Sequence, residues 1–252
     1  MKSKIEWTDF TFNPWWGCVK VSPGCENCYA ETLSNRWKFN VWGPEKTTDR
    51  RLFGDKHWKE PLMWNEAARN LPDHFGKKVF CGSMCDILEN HIQVNSSRNR
   101  LFQLIEETQN LIWLLLSKRI ENAMKMFPES WKRGLPDNVW VGTSVEDQKR
   151  ADERIPVLLE IPAAVHFLSC EPLLEQPNLS NYIRDLVREI DWIIVGGESG
   201  PGKRQFNVDW ARSIRDQCKD SGIAFFMKQI DKVQPIPEDL MIREFPQSKL
   251  IA

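Results

Sequence analysis

Cys18, Cys25 and Cys28 stand in one short stretch between Gly17 and Glu31, spaced C-x6-C-x2-C. A closed structural zinc site takes four protein ligands, and so does an electron-transfer [4Fe–4S] cluster. Three thiolates leave one metal position open, and an open position admits a reacting molecule. No second C-x2-C pair occurs in the chain to complete a tetrad. The stretch therefore reads as a three-ligand iron–sulfur site. A rival reading is a zinc-binding interaction module, with His57, Cys81 or Cys85 closing the tetrahedron. The four histidines lie in no ligand spacing of their own.

Other reactive residues fall just after apolar runs. One run leads into Gly82-Ser83-Met84-Cys85-Asp86, the next into Ser117-Lys118-Arg119, and another into Gly142-Thr143-Ser144-Val145-Glu146. Later runs lead into Ser169-Cys170-Glu171-Pro172, Gly196-Gly197-Glu198 and Lys228-Gln229. Four carboxylates with Lys118, Arg119 and Lys228 imply a charged, concave mouth. Such a carboxylate ring also suits a hydrolase or nuclease that uses a divalent metal. Cys81 and Cys218 fit core positions, whereas Cys85 and Cys170 fall at run ends, where an accessory role is open.

The elements that must position these residues follow from periodicity. Runs at Val79–Cys81, Leu111–Leu116, Val139–Val141, Ala164–Leu168, Trp192–Val195 and Ile223–Met227 are continuously apolar, which suits parallel strands covered on both faces. Helical periodicity occupies roughly 95–109, 119–127, 147–160, 180–190 and 207–221, with Asn207 as a start signal and Gly222 as a stop. A short first strand falls around Ile5–Phe12. This alternation predicts an α/β chain: an incomplete (β/α) TIM-type barrel of six or seven mostly parallel strands. We expect one domain over 1–252. It divides into a cysteine segment (1–37), an irregular insertion or lid (38–77) and a βα core (78–252).

Composition sets limits on function. With 41% apolar and 27% charged residues in a chain of 252, a sizeable core is possible. No apolar run approaches the length of a membrane span, and the first residues lack a secretory apolar core. Seven cysteines without an export signal suit a reducing, cytoplasmic setting, where metal or catalytic roles outrank disulfides. A net charge of −1 supplies no global attraction for nucleic acid, so such a partner needs a local basic patch. Seven of the twelve tryptophans lie within the first 64 residues. Arg36, Lys38, Lys46, Arg50, Arg51, Lys56 and Lys59, interleaved with Trp37, Trp42 and Trp58, would form a basic aromatic surface for single-stranded or flipped bases. The alternative is a solvated mixed-charge loop, because Glu45, Asp49, Asp55 and Glu60 dilute the patch.

The chain resembles a family of phage and prophage proteins of unknown function placed near the radical S-adenosylmethionine (SAM) enzymes. Glu6–Asp9, Asn13-Pro14, Gly17-Cys18, Val21–Glu31, Ser83-Met84 with Asp86, and Lys118-Arg119 carry that likeness. So do Val139–Glu146, Phe167–Leu174, Val195–Gly200, and Arg215–Cys218 through Lys228-Gln229. One departure is the six residues between Cys18 and Cys25, where radical SAM enzymes commonly have three.

The resemblance implies a radical-SAM-like barrel, a [4Fe–4S] cluster on Cys18, Cys25 and Cys28, and SAM at its open iron. Reductive cleavage of SAM would give a radical that modifies or repairs a substrate, and the phage association puts a nucleic acid, nucleotide or modified base among the candidates. It also implies an electron donor. Ser83 and Asp86 are candidates for the SAM amino group. Ser144, Glu146 and Glu198 are candidates for ribose or sulfonium contacts. Lys118, Glu171 and Lys228 are the candidate catalytic residues, the two lysines suiting an anionic substrate. Trp15, Trp16 and Tyr29 would limit water around the thiolates.

Overall fold

The computed structural model of the protein describes residues 3–69, 76–183 and 190–246. Nine strands are present among them: β1 (Phe10–Phe12), β2 (Trp15–Trp16), β3 (Arg51–Leu52), β4 (Lys77–Cys81), β5 (Leu111–Ser117), β6 (Val139–Ser144), β7 (Val165–Cys170), β8 (Trp192–Gly196) and β9 (Ala224–Gln229). The helices are α1 (Tyr29–Arg36), α2 (Asp55–Trp58), α3 (Glu60–Ala68), α4 (Asn95–Glu107), α5 (Ala123–Met126), α6 (Gln148–Leu159), α7 (Ser180–Ile183) and α8 (Val208–Ser221). Seven strands form one sheet in the order β1-β4-β5-β6-β7-β8-β9, and β2 pairs with β3 apart from it. The mixed α/β class and the strand count agree with the periodicity.

The chain divides into two compact units. The first comprises Met1–Lys20, Ala30–Trp140 and Pro162–Ala164. Within it β1 pairs with β4, and β4 with β5, all in parallel. Aromatic rings fill the space around these strands: Phe12 meets Trp113 edge-on at 5.8 Å, and Trp7 lies 4.6 Å from Phe80. Such rings bury large apolar areas and prefer tilted or edge-to-face contact. Helix α4 turns Leu101, Phe102, Leu104 and Ile105 inward, and Phe102 packs 5.0 Å from Trp131.

The second unit comprises Val21–Tyr29, Val141–Ile161 and Val165–Ala252. Here β7, β8 and β9 pair in parallel, with a register shift between Val195 and Gly196. Every residue of β7 and β8 is buried, as continuous apolar runs require. Helix α8 packs on β8 and β9 through Ala211, Ile214 and Cys218. Asn207 caps its start by accepting from Asp209 N at 3.0 Å. Gly222 ends it at φ +69°, a conformation glycine adopts without steric cost.

Several expectations change. The first strand is only Phe10–Phe12, because Thr8 folds back, its hydroxyl reaching Phe10 O and Lys78 O at 2.9 and 2.8 Å. The segment 119–127 holds a 3₁₀ turn at Ile120–Asn122 and the four residues of α5. Of the helix expected over 180–190, Ser180–Ile183 is present, and 184–189 lie outside the described residues. The stretch 38–77 contains the short elements β3, α2 and α3, joined by residues outside regular structure. Its residues 70–75 also lie outside the described set.

Candidate functional site

In the first unit the site is built around Cys18. Gly17 precedes it at φ +116°, and a Cβ there would stand 2.3 Å from Val41 O. Only glycine fits that approach. Gly17 N donates to Met84 O at 3.0 Å, and Gly43 N donates to Cys18 O at 3.0 Å, so the backbone is held on both sides of the thiol. Arg119 Nη1 lies 3.5 Å from Cys18 Sγ and 2.9 Å from Asp86 Oδ2, while its Nη2 donates to Val19 O at 2.5 Å. Asp86 also accepts from Ser117 Oγ at 2.6 Å and from the backbone N of Lys118 and Leu88, each at 3.0 Å. The carboxylate is thus fully engaged in aiming Arg119. Burial pushes the Cys18 thiol up to about 12 against the opposing pull of Arg119. Ser83 exchanges hydrogen bonds with Asn13, whose Oδ1 also accepts from Met84 N at 2.7 Å.

In the second unit the segment that carries Cys25 and Cys28 is tied down at four residues. Ser22 Oγ donates to Glu146 Oε1 at 2.6 Å and lies 3.6 Å from Cys25 Sγ. Glu146 is fully buried, and Arg154 Nη1 balances it at 2.9 Å while also donating to Ser144 O at 2.8 Å. Gly24 lies against this carboxylate, where a Cβ would meet Glu146 Cγ at 2.5 Å. Arg204 Nη2 donates to Pro23 O at 2.8 Å, and its Nη1 pairs with Glu26 at 3.1 Å. Asn27 Nδ2 donates to Glu198 at 2.9 Å, and Arg204 binds the same carboxylate through its backbone N at 2.8 Å and its guanidinium. Although burial pushes the Glu198 carboxyl upward, the hydrogen bonds from Arg204 and Asn27 outweigh it and hold the group below its ordinary range.

A third cluster in the same unit joins the ends of β7 and β9. Lys228 Nζ contacts both oxygens of Glu171 at 2.5 and 2.6 Å. Gln229 Nε2 reaches Glu171 Oε1 at 3.5 Å and Gly197 O at 3.0 Å. Gly196 stands at the register shift of β8 and β9, and its absent Cβ would lie 3.5 Å from the Glu171 carboxyl carbon. At Gly197 a Cβ would be 2.2 Å from Ile230 O, so no side chain fits there.

The structure thus brings together Cys18, Asp86 and Arg119. It separately brings the Cys25 segment together with Glu146 and Glu198, and Glu171 with Lys228. Lys118 enters the first group through its backbone N, and Ser144 enters the second through its carbonyl. Each of the four expected carboxylates carries a cationic partner: Asp86 with Arg119, Glu146 with Arg154, Glu171 with Lys228 and Glu198 with Arg204. Sequence reasoning missed Arg154, Arg204, Ser22 and Asn27. Arg154 lies on a helix and Arg204 in a loop, and neither position bears a spacing signal. Among the described residues no three His, Cys, Asp or Glu side chains gather closely enough to hold a single ion.

Of the seven free thiols, Cys81, Cys170 and Cys218 are buried in the core, whereas Cys18, Cys25, Cys28 and Cys85 are partly accessible. Core placement of Cys81 and Cys218 agrees with the sequence, and Cys170 joins them. The expected basic aromatic surface needs correction. Arg50 is buried and paired with Glu89 at 2.7 Å, and Trp58 is buried as well, whereas Trp37 stays 47% exposed. Tyr29 is 44% exposed and so covers little of its own segment, whereas Trp15 is fully buried.

The model of a family described as "Protein of unknown function (DUF5131)" matches residues 2–242 of the chain. No curated protein matches it, and no solved structure does. Among the described residues no helix is long and apolar enough to cross a membrane.

Proposed function

The chain belongs to this DUF5131 family, and we propose that it is a radical-SAM-like iron–sulfur enzyme acting on a nucleic acid or nucleotide. Cys18, Cys25 and Cys28 would hold a [4Fe–4S] cluster. The observation that carries the reading is the division of the thiols. Cys81, Cys170 and Cys218 are core residues, while Cys18, Cys25 and Cys28, with Cys85, keep some accessible surface and form no disulfide, and a Cβ would clash at both Gly17 and Gly24 beside the trio.

The donor set suits the group. Thiolates are the ligands such clusters take, and Arg119 beside Cys18 favours the anionic sulfur. Each cysteine of a cubane binds a different iron, so the three need not crowd around one ion. When bound, the cluster and SAM supply one-electron chemistry for hydrogen abstraction, driven by a low-potential electron donor.

The chain's own residues position and protect that chemistry. Glu146 and Glu198 act by holding the Cys25–Cys28 segment through Ser22, Asn27 and Arg204. Asp86 acts by aiming Arg119 at Cys18, and Ser83 by fixing Asn13. Lys228 Nζ, held by Glu171, offers a charged donor to an anionic substrate group. Lys118 adds a second cation after β5.

The test is an oxygen-free preparation with iron and sulfide counted per chain, followed by SAM and a reductant. The reading expects about four iron and four sulfide per chain, with SAM cleaved. Cys18→Ala, Cys25→Ala and Cys28→Ala should each abolish both. A chain that binds zinc in place of iron, or no metal, overturns it.

A further inference from the structure

We propose that the aromatic stack around Trp16 and Trp37 in the first unit is a docking platform for single-stranded nucleic acid. Trp37 stacks on an unpaired base, while Arg36, Lys38 and Arg51 meet the neighbouring phosphates. The proposal stands apart from the cluster and holds for the metal-free chain.

Local backbone displays the platform. Helix α1 ends where Phe39 N donates to Ser34 O at 3.0 Å and Ser34 Oγ donates to Phe39 O at 2.8 Å. Lys38 takes up the reversal at φ +61°, an uncommon conformation for a side chain of that kind. The turn sets Trp37 and Phe39 on either side of it. Trp37 lies nearly parallel to Trp16, with centroids 5.2 Å apart and planes 19° apart, yet it is 47% exposed. An indole anchored on a second indole, with this much surface open, is a rigid face for another planar ring.

Charge completes the match. The β2–β3 pairing sets Arg51 opposite Trp16. Its guanidinium lies 4.7 Å from the Trp16 ring centre, 3.9 Å from that of Phe39 and 5.4 Å from that of Phe53. Its neighbour Arg50 is buried on Glu89 and the carbonyls of Val41, Gly43 and Thr48. Arg51, Arg36 and Lys38, in contrast, enter no ion pair among the described residues. Aromatic packing holds Arg51 in place while its charge is left for an anion. An acidic peptide would satisfy these cations but has no use for the face of Trp37. Single-stranded nucleic acid uses both, and a duplex hides its base faces.

Fluorescence anisotropy with labelled oligothymidylate and oligouridylate of about fifteen nucleotides tests this on the full chain. The two probes separate DNA from RNA, and binding of either supports the platform. With three phosphate contacts, log affinity should fall against log salt with a slope of about −2. Trp37→Ala should weaken binding by about fivefold to a hundredfold at unchanged far-UV ellipticity. Arg51→Gln should flatten the slope by about 0.7. Polyglutamate affinity should not respond to Trp37→Ala. No oligonucleotide binding at low salt, equal binding of a duplex, or an affinity indifferent to both variants overturns the proposal.

Discussion

Gly24→Ala probes the cysteine segment with a single methyl group. A Cβ at position 24 would stand 2.5 Å from Glu146 Cγ, 2.6 Å from Oε1 and 2.9 Å from Cδ, so something must shift. A glutamate on the surface would swing away at little cost. Glu146 has no exposed surface, and its carboxylate is held by Ser22 at 2.6 Å and Arg154 at 2.9 Å. A retreat of about 1 Å gives up one charge-assisted hydrogen bond, about 1.5–3 kcal/mol. Residual overpacking adds about 1–3 kcal/mol. If the segment moves instead, the strain leaves the core and displaces Cys25. Movement of the segment should appear as lost iron retention, and movement of Glu146 as a lower melting temperature. The assay is iron per chain after anaerobic reconstitution, beside Tm of the metal-free protein. Glu146→Asp added to Gly24→Ala removes a methylene from the clash and should recover part of both. A Gly24→Ala chain that retains iron and melts like the wild type would refute the argument.

Two further outcomes follow. Arg119→Gln removes the cation beside Cys18 and one partner of a buried pair, but Asp86 keeps three other donors. The stability loss should therefore sit near the lower end of the 3–5 kcal/mol typical of a broken buried pair, about 3 kcal/mol by urea unfolding. A loss as small as that of an exposed pair would count against the network. Burial raises the thiols of Cys81 and Cys170 well above their ordinary value, and that of Cys218 up to about 12. The unfolded chain releases these protons near pH 9 while the folded chain keeps them. Stability should therefore be full below pH 9 and fall above it, by roughly 1.4 kcal/mol per pH unit for each thiol. Urea midpoints between pH 8 and 10.5 check this, and replacing Cys218 with alanine should lessen the slope.

Much of the fold was legible in the sequence because it depends on local pattern. Continuous apolar runs such as Leu111–Leu116 and Trp192–Val195, too short for buried helices and rich in β-formers, read as strands covered on both faces, and the capping residues Asn207 and Gly222 bracket α8 as their chemistry requires. The C-x6-C-x2-C trio was equally plain, since thiols on one short segment need no tertiary information to be noticed. Where local signals compete, the sequence was a poor guide. The stretch 38–77 lacked a clean period because β3, α2 and α3 are only two, four and nine residues long, too short to repeat a pattern. For the same reason Arg50 looked like a surface cation beside Arg51, although one side chain is sealed on Glu89 and the other lies on an aromatic stack. Sequence alone therefore determined which residue types could do chemistry and which strands carry them. Tertiary structure alone decided their hydrogen-bond and charge partners. Pairs such as Ser22 with Glu146, or Arg119 with Cys18, lie about a hundred or more positions apart in the chain, and only the folded backbone sets the hydrogen-bond distances that join them.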